Sequence, residues 1–443
     1  MRLVHASLVA ASLLTLACSR ATAPAADGSA PASGARATDQ PPASASAPPP
    51  LRGLPPLATE PARPIVTDLA ARIAAMSSGE LRLDAGEYVL TPAVSADTGC
   101  PACAGDDWAT IRVATSYGLR IHGEGVRIVG AGSGKTVLRT RSGVGIAFDG
   151  CRDCVLEGVT VTGGERDAGD QAADAAVSVR ESSVTIRDCV ITDNLGAEFV
   201  VKDTFVGISG VLVREGGVAT IERCRILRCS WDGISVLRGG RATVLDTVVD
   251  GVDRAQALTM GGGRGVGIRL ATGGEATIER SLVARHDGGI GLFGMSRAVV
   301  RSCVVEDSPS WGIAAWGDTA ASPDITIEDT AVHRIGACGI TLRAGGAPVT
   351  GKLAGIRLMV TAQGGSTVAA ACMRDGMELP ADFAMGDVVS WMTGGPREPS
   401  PADVDSASFR AAAEVQAARM AAMPALADSA YVRSQAPSGS TRR

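Results

Sequence analysis

The segment ATIERCRILRCSWDGISV (residues 219–236) recurs along the chain, as ATIERSLVARHDGGIGLF (276–293) and AVVRSCVVEDSPSWGIAAW (298–316). When the Thr-Ile-Glu-like cores are aligned, the central residues are Ile186, Ile221, Val244, Ile278, Val300 and Ile327, at intervals of 35, 23, 34, 22 and 27. The basic period is therefore 22–23 residues, with longer turns in some units. A fixed period of this length with several short strands per unit predicts a parallel β-solenoid.

Each unit also contains a second short strand that begins with Gly. These strands are GVLVR (210–214), GISVL (233–237), GIRLA (267–271), GIGLF (289–293), GIAAW (312–316) and GITLR (339–343). In a solenoid, equivalent residues of successive coils stack into columns about 4.8 Å apart. One predicted column consists of small residues, as a tight interior corner requires: Val159, Cys189, Cys224, Thr247, Ser281, Cys303 and Thr330.

These repeats resemble the right-handed parallel β-helix of the pectate-lyase-like superfamily over about residues 66–360. The segments DLAARIAAMSSGELRLDAGEYVL (68–90) and LRIHGEGVRIVGAG (119–132) are similar to the first coils of that family. The resemblance implies an all-β fold of ~22-residue coils with an N-terminal capping helix. Leu69, Ile73 and Met76 give that helix its apolar face, which would cover the exposed end of the solenoid. Because this fold serves many functions, it does not by itself assign one.

The chain divides into four parts by composition. Residues 1–18 predict an export signal whose end, LTLAC, resembles a bacterial lipobox, so that Cys18 would be lipidated and anchor the protein to a membrane of the cell envelope; without lipidation the protein would be secreted. Residues 19–62 are rich in Ala, Pro and Ser and predict a disordered tether. Residues 63–360 are the predicted β-helix. Residues 361–443 predict a C-terminal cap and a disordered tail, with a helix in SFRAAAEVQAARMAAM (408–423) that stops at Pro424.

The net charge argues against a nucleic-acid partner. The sequence has 42 Lys and Arg against 47 Asp and Glu, a net charge of −5, whereas nucleic-acid binding requires a concentrated basic face. We expect a monomer whose partners are a polysaccharide and, through Cys18, a membrane.

The cysteines and acidic loops leave several possibilities open. The pairs Cys100/Cys103 and Cys151/Cys154 have a zinc-like spacing, but an exported chain favours a Cys100–Cys103 disulfide, and Cys154 falls at a core position. Cys189 and Cys224 stack on neighbouring coils, either bonded or as small core thiols. The loops GDD (105–107) and ERDAGD (165–170) either bind calcium or are solvated; no cofactor is certain.

Alternation places arginine and aromatic side chains on the outward face of the Gly-Ile strands. The predicted ligand-binding residues are Arg180, Arg214, Arg238, Trp231, Phe293, Trp311 and Trp316, with Arg343 and Arg269 in the same columns. Guanidinium groups bind carboxylates in a bidentate manner and aromatic rings stack on sugars, so the face would suit an acidic polysaccharide. Alternatively, the arginine stems only cover apolar strands while their charges stay solvated.

A catalytic set is predicted beside this face: Asp232, His286 and Asp287 as proton carriers and Arg269, or Arg238, as the group that neutralises a uronate carboxylate. Such a set would serve β-elimination or epimerisation, and paired carboxylates would serve glycoside hydrolysis. The calcium-site, Asp-Pro-His-Asp and Asp-Asp-plus-His motifs of the superfamily's enzymes are absent. Two hypotheses follow: a polysaccharide lyase, epimerase or hydrolase, or a non-catalytic β-helix that binds glycan, adheres or acts as a spacer.

Overall fold

The computed structural model describes residues 65–98, 112–169, 173–195, 199–201, 204–251, 265–317, 323–336, 338–343, 349–354, 356–361, 369–373, 384–385, 388–393 and 406–435. The predicted signal (1–18) with Cys18, the tether (19–62), the Cys100/Cys103 pair and the loop 105–107 lie outside the described residues.

The described chain forms the predicted right-handed parallel β-helix, built from three long sheets. We name one the Gly-Ile sheet; it contains β4 (Ala93–Thr98), β5 (Arg112–Glu124), β8 (Val144–Arg152), β11 (Ala175–Arg180), β16 (Ser209–Arg214), β19 (Ile234–Leu237), β22 (Val266–Ala271), β25 (Gly288–Phe293), β28 (Trp311–Trp316), β31 (Cys338–Arg343) and β34 (Ala369–Met373). We name the next the Thr-Ile-Glu sheet; it contains β2 (Gly79–Leu83), β6 (Val126–Gly130), β9 (Cys154–Glu157), β12 (Ser183–Arg187), β17 (Val218–Glu222), β20 (Arg241–Leu245), β23 (Glu275–Glu279), β26 (Arg297–Arg301), β29 (Asp324–Glu328), β32 (Thr350–Ala354) and β35 (Ala384–Met385).

The third sheet closes each coil. It contains β1 (Ile65–Val66), β3 (Gly86–Val89), β7 (Thr136–Arg139), β10 (Thr160–Thr162), β13 (Val190–Thr192), β18 (Arg225–Leu227), β21 (Val248–Asp250), β24 (Leu282–Ala284), β27 (Val304–Glu306), β30 (Ala331–His333), β33 (Ile356–Thr361) and β36 (Val388–Thr393). Among the described strands of the three sheets, the antiparallel pairing is that of β4 with β5. A separate hairpin consists of β14 (Phe199–Val201) and β15 (Thr204–Val206).

The strand register confirms the repeat that the sequence predicts. Ile186, Ile221, Val244, Ile278, Val300 and Ile327 are direct partners on successive strands of the Thr-Ile-Glu sheet. The small-residue column from Val159 to Thr330 is buried throughout, at most 1% exposed. It forms the corner between the Thr-Ile-Glu sheet and the third sheet, where the carbonyls from Val159 to Cys303 accept hydrogen bonds from the next coil, as Cys189 does from the amide of Arg225.

Close packing across the coil explains why the Gly-Ile strands begin with glycine. A Cβ atom added to Gly267 would lie 2.3 Å from Val283 Cγ1 and 2.7 Å from the carbonyl oxygen of Gly289. The same conflict recurs one coil earlier, where a Cβ on Gly233 would lie 2.2 Å from Val249 Cγ1. The Gly-Ile signature is therefore a requirement of the narrow interior and belongs to the scaffold.

Helix α1 (Leu69–Ala74) is the predicted N-terminal cap. Leu69 and Ile73 are 0% and 3% exposed and join the same apolar cluster as the coil interiors, with Met76 packed against it. The cap thus continues the core beyond the first coil.

The C-terminal region differs from the prediction in two respects. Parallel strands continue past the predicted boundary at residue 360, as far as β36, because β33 pairs with β36 over six residues. The following helices, α2 (Ser406–Met420) and α3 (Ala430–Gln435), lie along the side of the solenoid. Their residues Met420 and Tyr431 bury Leu282, Val304 and Ala331 on the outer face of the third sheet.

Candidate functional site

The outer face of the Gly-Ile sheet carries the least regular side chains of the described repeats. Inward residues are apolar, mostly aliphatic as Ile268 and Leu270 of β22 are, with Phe148 of β8 an aromatic member. Two outward columns alternate with them. Their members are Ala147, Ser178, Leu212, Ser235, Arg269, Gly291, Ala314 and Thr341, and next to them Asp149, Arg180, Arg214, Leu237, Ala271, Phe293, Trp316 and Arg343. A surface that changes from coil to coil on a repeating backbone is where a specific site can be built.

Three aromatic rings meet on this face. The ring centroids of Phe293 and Trp316 are 5.3 Å apart, those of Trp311 and Trp316 are 5.7 Å apart, and those of Phe293 and Trp311 are 6.4 Å apart. All three rings are partly exposed. The interplanar angles, between 62° and 74°, are edge-to-face, so the rings form a shaped platform and not a flat stack.

Two glycines make room for this platform. A Cβ atom on Gly288 would lie 2.2 Å from Trp311 Cζ2, and one on Gly291 would lie 2.8 Å from Trp311 Cη2 and 2.9 Å from Phe293 Cε2. Trp311 therefore lies across the bare backbone of the neighbouring coil to reach Phe293. These two outward glycines serve the site, unlike the inward glycines of the repeat.

Arg269 lies beside the platform, held by a buried carboxylate. Its Nε is 3.2 Å from Asp232 Oδ2, and its guanidinium carbon is 5.6 Å from the centre of the Phe293 ring, within cation–π range. Asp232 is 1% exposed and also accepts hydrogen bonds from Ser235 Oγ at 2.7 Å and from the Val266 amide at 2.8 Å. These two hydrogen bonds fix the Asp232 carboxylate, and its ion pair with Arg269 makes it a positioning group for that guanidinium.

A second cluster occupies the same face three coils earlier. Arg180 donates to both oxygens of Asp149, at 3.1 and 2.7 Å, and also to Asp97. Arg214, with 2% of its side chain exposed, donates to Asp97 Oδ2 at 2.6 Å. Although burial works against its charged form, the Asp149 and Asp97 carboxylates raise the pKa of Arg180. Both predicted ligand-binding arginines are thus ion-paired within the protein.

His286 lies inside the solenoid. It is 1% exposed, and its ring packs against Gly233 and Gly267, where added Cβ atoms would come within 3.4 and 3.3 Å of it. Burial, and next the positive charge of Arg285, lowers the pKa of His286 to about 3. In the described part of the chain neither ring nitrogen has a hydrogen-bond partner. The structure brings Asp232 to Arg269 but places His286 on the interior side of the sheet, away from a ligand on the outer face.

The remaining predicted site residues lie at the edges of the face. Asp287 and Trp231 are half-buried in the turns that precede β25 and β19. Arg238 adopts a left-handed conformation, with φ of 51°, in the turn after β19, so it does not continue the outward column of that strand. Arg343 ends β31, and its side chain lies outside the described part.

The described cysteines are part of the scaffold, and the acidic loop 165–170 is hydrogen-bonded to it. Cys151, Cys154, Cys189, Cys224, Cys229 and Cys303 are free and buried, so the stacked pair Cys189/Cys224 is not bonded; Cys338 is disulfide-bonded. In loop 165–170, the Asp167 carboxylate accepts hydrogen bonds from the Ser116 amide at 2.9 Å and hydroxyl at 2.5 Å. Among the residues that the structure covers, no group of three or more His, Cys, Asp or Glu side chains is arranged to hold a metal ion.

Sequence reasoning missed the residues that organise the second cluster. Asp97 is 117 residues from Arg214, which donates to it, and no repeat marks Asp97 or its partner Tyr117. The position of His286 had a signal: it follows a left-handed turn residue, as do the buried Asn194, Cys229 and Ser308 of other coils. That column indicates an interior position.

A comparison with known families supports the fold. A sequence profile described as "Right handed beta helix region" matches residues 209–353. A comparison with curated proteins finds no significant match.

Solved structures with similar folds share little sequence with this chain. A mannuronic acid specific polysaccharide family 6 lyase from human gut microbiota is 12% identical, with a TM-score of 0.39, over 84% of this chain and 97% of that one. The catalytic domain of a GH87 α-1,3-glucanase in complex with nigerose is 11% identical, with a TM-score of 0.40, over 71% and 61%.

The periplasmic alginate epimerase AlgG is 12% identical, with a TM-score of 0.35, over 56% of this chain and 60% of that one. The chain therefore spans less than two thirds of the length of the epimerase and of the glucanase domain. Over its central coils, this chain is similar to right-handed β-helix proteins.

Proposed function

We propose that this protein binds an acidic polysaccharide on the outer face of its Gly-Ile sheet. The observation that carries the proposal is the partly exposed platform of Phe293, Trp311 and Trp316 beside the Arg269 guanidinium. Aromatic faces stack on the apolar faces of sugar rings, and a guanidinium pairs with a uronate carboxylate. Together, the stacking surface and the guanidinium favour a sugar that carries a carboxylate over a neutral sugar.

The way Arg269 is held supports a binding role. Asp232 receives three hydrogen-bond or ion-pair donors and is almost fully buried, so it fixes the guanidinium without reaching the solvent. Only part of the Arg269 side chain, 27%, is exposed, which leaves one side of the group for a ligand. A fixed cation loses little conformational entropy when the ligand binds.

Chemical modification of the bound glycan is the second candidate, and Asp287 is the group that would test it. Removal of the C5 proton of a uronate requires a base at the surface, with the carboxylate neutralised by a cation such as Arg269. Of the predicted proton carriers, Asp232 and His286 are each 1% exposed, whereas Asp287 is half-buried in the turn before β25. If a lyase or epimerase reaction occurs, Asp287 is the base that we propose.

We also propose that the protein is exported and anchored through Cys18. The apolar N-terminus, the lipobox-like LTLAC sequence and the Ala/Pro/Ser-rich tether would hold a glycan-binding domain away from a membrane surface. The disulfide at Cys338 suits an oxidising compartment. No helix among the described residues has the length and apolar character to cross a membrane.

The anchor has a simple test. Cys18→Ala is expected to move the protein from the membrane fraction to the soluble fraction, measured by fractionation of the producing cells. Membrane association that is unchanged in this variant contradicts the lipid anchor.

A polysaccharide screen tests the main proposal. Polygalacturonate, alginate and a neutral glucan of similar length would be titrated against the purified protein, and ultraviolet absorbance would follow unsaturated products. We expect binding of one or both acidic polymers and not of the glucan. Equal binding of all three, or of none, contradicts the proposal, and a rising absorbance that Asp287→Asn abolishes identifies a lyase.

A further inference from the structure

The cluster around Asp97 has the form of a carboxylate site that the protein itself occupies. The donors belong to the β-helix body: the Tyr117 hydroxyl on β5, Arg180 on β11 and Arg214 on β16. The acceptor, Asp97, belongs to β4, which is the outermost strand of the Gly-Ile sheet and pairs antiparallel with the first half of β5. One carboxylate thus receives donors from three strands of the β-helix body, although its own strand, β4, does not belong to the parallel part of the sheet.

The two oxygens of Asp97 are divided between the two arginines. Oδ1 accepts from Arg180, while Oδ2 accepts from Arg214 and from Tyr117, each at 2.6 Å. Burial, and next the hydrogen bond to Asp97, raises the pKa of the Tyr117 hydroxyl above its usual value, so the phenol remains a donor. Paired guanidiniums that share one carboxylate between its two oxygens are the arrangement by which proteins bind planar anions.

The surroundings leave room for little more than one water molecule beside this carboxylate, so a sugar carboxylate enters only where Asp97 withdraws. A small open pocket is lined by Asp97, Asp149, Ser178, Arg180 and Arg214, together with Tyr117 and Ala147. On the protein side, Arg180 keeps Asp149 as a bidentate partner and Arg214 keeps Glu215 at 3.6 Å whether or not Asp97 is present. Withdrawal of Asp97 would therefore not leave either guanidinium without a counter-charge.

The strand β4 carries features of a segment that can move. Val94 is 69% exposed, so the strand contributes little to the core, and Ser95 contacts the body through Arg120 Nη1 at 3.2 Å. A strand at a sheet edge with few buried apolar contacts opens at a lower free-energy cost than a core strand.

From this geometry we propose that Asp97 is a built-in competitor: it occupies a uronate-carboxylate subsite formed by Tyr117, Arg180 and Arg214, and an acidic polysaccharide must displace it. The inference rests on the proposed function, because the ligand is the same polymer and the face is the same. Arg214 lies two strand spacings from Arg269 and Arg180 lies three, about 10 and 14 Å at ~4.8 Å per strand, so one polysaccharide chain of a few sugars reaches both.

Asp97→Asn tests the proposal, because it keeps the side chain's size and removes its charge. Asp246→Asn is the matched control: Asp246 also pairs with one arginine through two bonds, from Arg280 at 2.9 and 2.8 Å, but it lies on a different corner of the solenoid. If the subsite is open for about a tenth of the time in the native protein, its release strengthens apparent binding about tenfold. We expect Asp97→Asn to bind an oligogalacturonate about tenfold more tightly and Asp246→Asn to bind it as the native protein does.

The outcomes separate this inference from the proposed function. Native binding that Asp97→Asn leaves unchanged or weakens overturns the competitor while the proposed function stands. Absence of binding in both proteins overturns both. Binding by Asp97→Asn alone supports both and shows that the native site is closed.

A measurement on the native protein guards against an effect of the substitution on folding. Hydrogen exchange of the Ala93–Thr98 amides would be followed with glucuronate and, separately, with glucose at the same concentration. We expect glucuronate to speed exchange in this strand, because it competes with Asp97, and glucose to have no effect. Equal exchange rates with the two sugars overturn the proposal.

Discussion

The outer faces of the Thr-Ile-Glu sheet and the Gly-Ile sheet are built on the same repeat, yet they carry opposite kinds of surface. On the Thr-Ile-Glu sheet, charges form a ladder between coils: Arg187 with Glu157 at 2.7 Å, Arg301 with Glu328 at 2.8 Å and Lys352 with Glu328 at 3.1 Å. On the Gly-Ile sheet, between β22 and β28, aromatic rings and a fixed arginine stand in place of such a ladder.

The difference explains why one face of this repeat protein is better suited to bind a ligand than the other. A ladder of solvent-exposed ion pairs neutralises itself and is screened by salt, so it offers a ligand no net attraction. Arg269 is instead held on one side by a buried carboxylate and faces an aromatic platform on the other. The first face keeps coils in register, and the second is able to discriminate between ligands.

The largest expected effect concerns His286, which lies beneath the Gly-Ile sheet and not on it. Burial, and next the charge of Arg285, lowers the pKa of His286 from 6.5 to about 3. Below pH 6.5 this histidine is therefore protonated in the unfolded chain, whereas in the folded chain it stays neutral down to about pH 3. The contribution to stability is therefore complete above pH 6.5 and is lost as the pH falls towards 3. We expect His286→Asn to remove about 3 kcal/mol of the stability difference between pH 7.5 and pH 4, measured by urea unfolding.

Glycan binding provides the control for this prediction, because His286 lies away from the outer face. His286→Asn is expected to bind glycan within twofold of the native protein at pH 7.5. If His286→Asn folds stably but loses most of its glycan binding, His286 takes part in binding and its assignment to the interior is wrong.

The next effect breaks the aromatic platform. Replacement of both Trp311 and Trp316 by Ala removes two stacking surfaces worth about 1 kcal/mol each, so acidic-glycan binding should weaken about 30-fold by calorimetry. Both rings are partly exposed, so the fold should persist. Native affinity in the double variant would mean that the glycan binds elsewhere.

A smaller effect separates charge from stacking. Arg269→Gln is expected to weaken binding of an acidic oligosaccharide about tenfold, the loss of one charge-assisted pair, and to leave neutral-glycan binding as it was. Arg280→Gln is the control, since Arg280 also pairs with an aspartate, Asp246, through two hydrogen bonds, and lies away from this face. An equal loss in both variants would point to a general effect of net charge.

The smallest effect is on the ladder itself. Arg301, with 47% of its side chain exposed, pairs with Glu328, and Arg301→Ala should lower the free energy of unfolding only slightly, because solvent screens the pair. The loss should fade as salt is added, and glycan binding should stay native. A change in glycan binding here would remove the distinction between the two faces.

The sequence predicted what repetition determines. The columns of Ile221 and Cys224, the capping role of Leu69 and the outward position of Arg269 all follow from a period and an alternation, and the register confirms them. It could not predict that Asp97 reaches Arg214, 117 residues away, because β4 belongs to no repeat.

Two further differences have physical causes. Arg238 leaves the outward column because it adopts the left-handed turn that ends its strand. The C-terminal helices cover the side of the third sheet because its outer face exposes Leu282, Val304 and Ala331, an apolar stripe that needs a partner.

A crystal structure of the protein with a bound oligogalacturonate would test the central claim most directly. We predict sugar rings against Trp311, Trp316 and Phe293, with a carboxylate within hydrogen-bond distance of Arg269. An oligosaccharide seated on the ladder of the Thr-Ile-Glu sheet, with the aromatic platform empty, would contradict it.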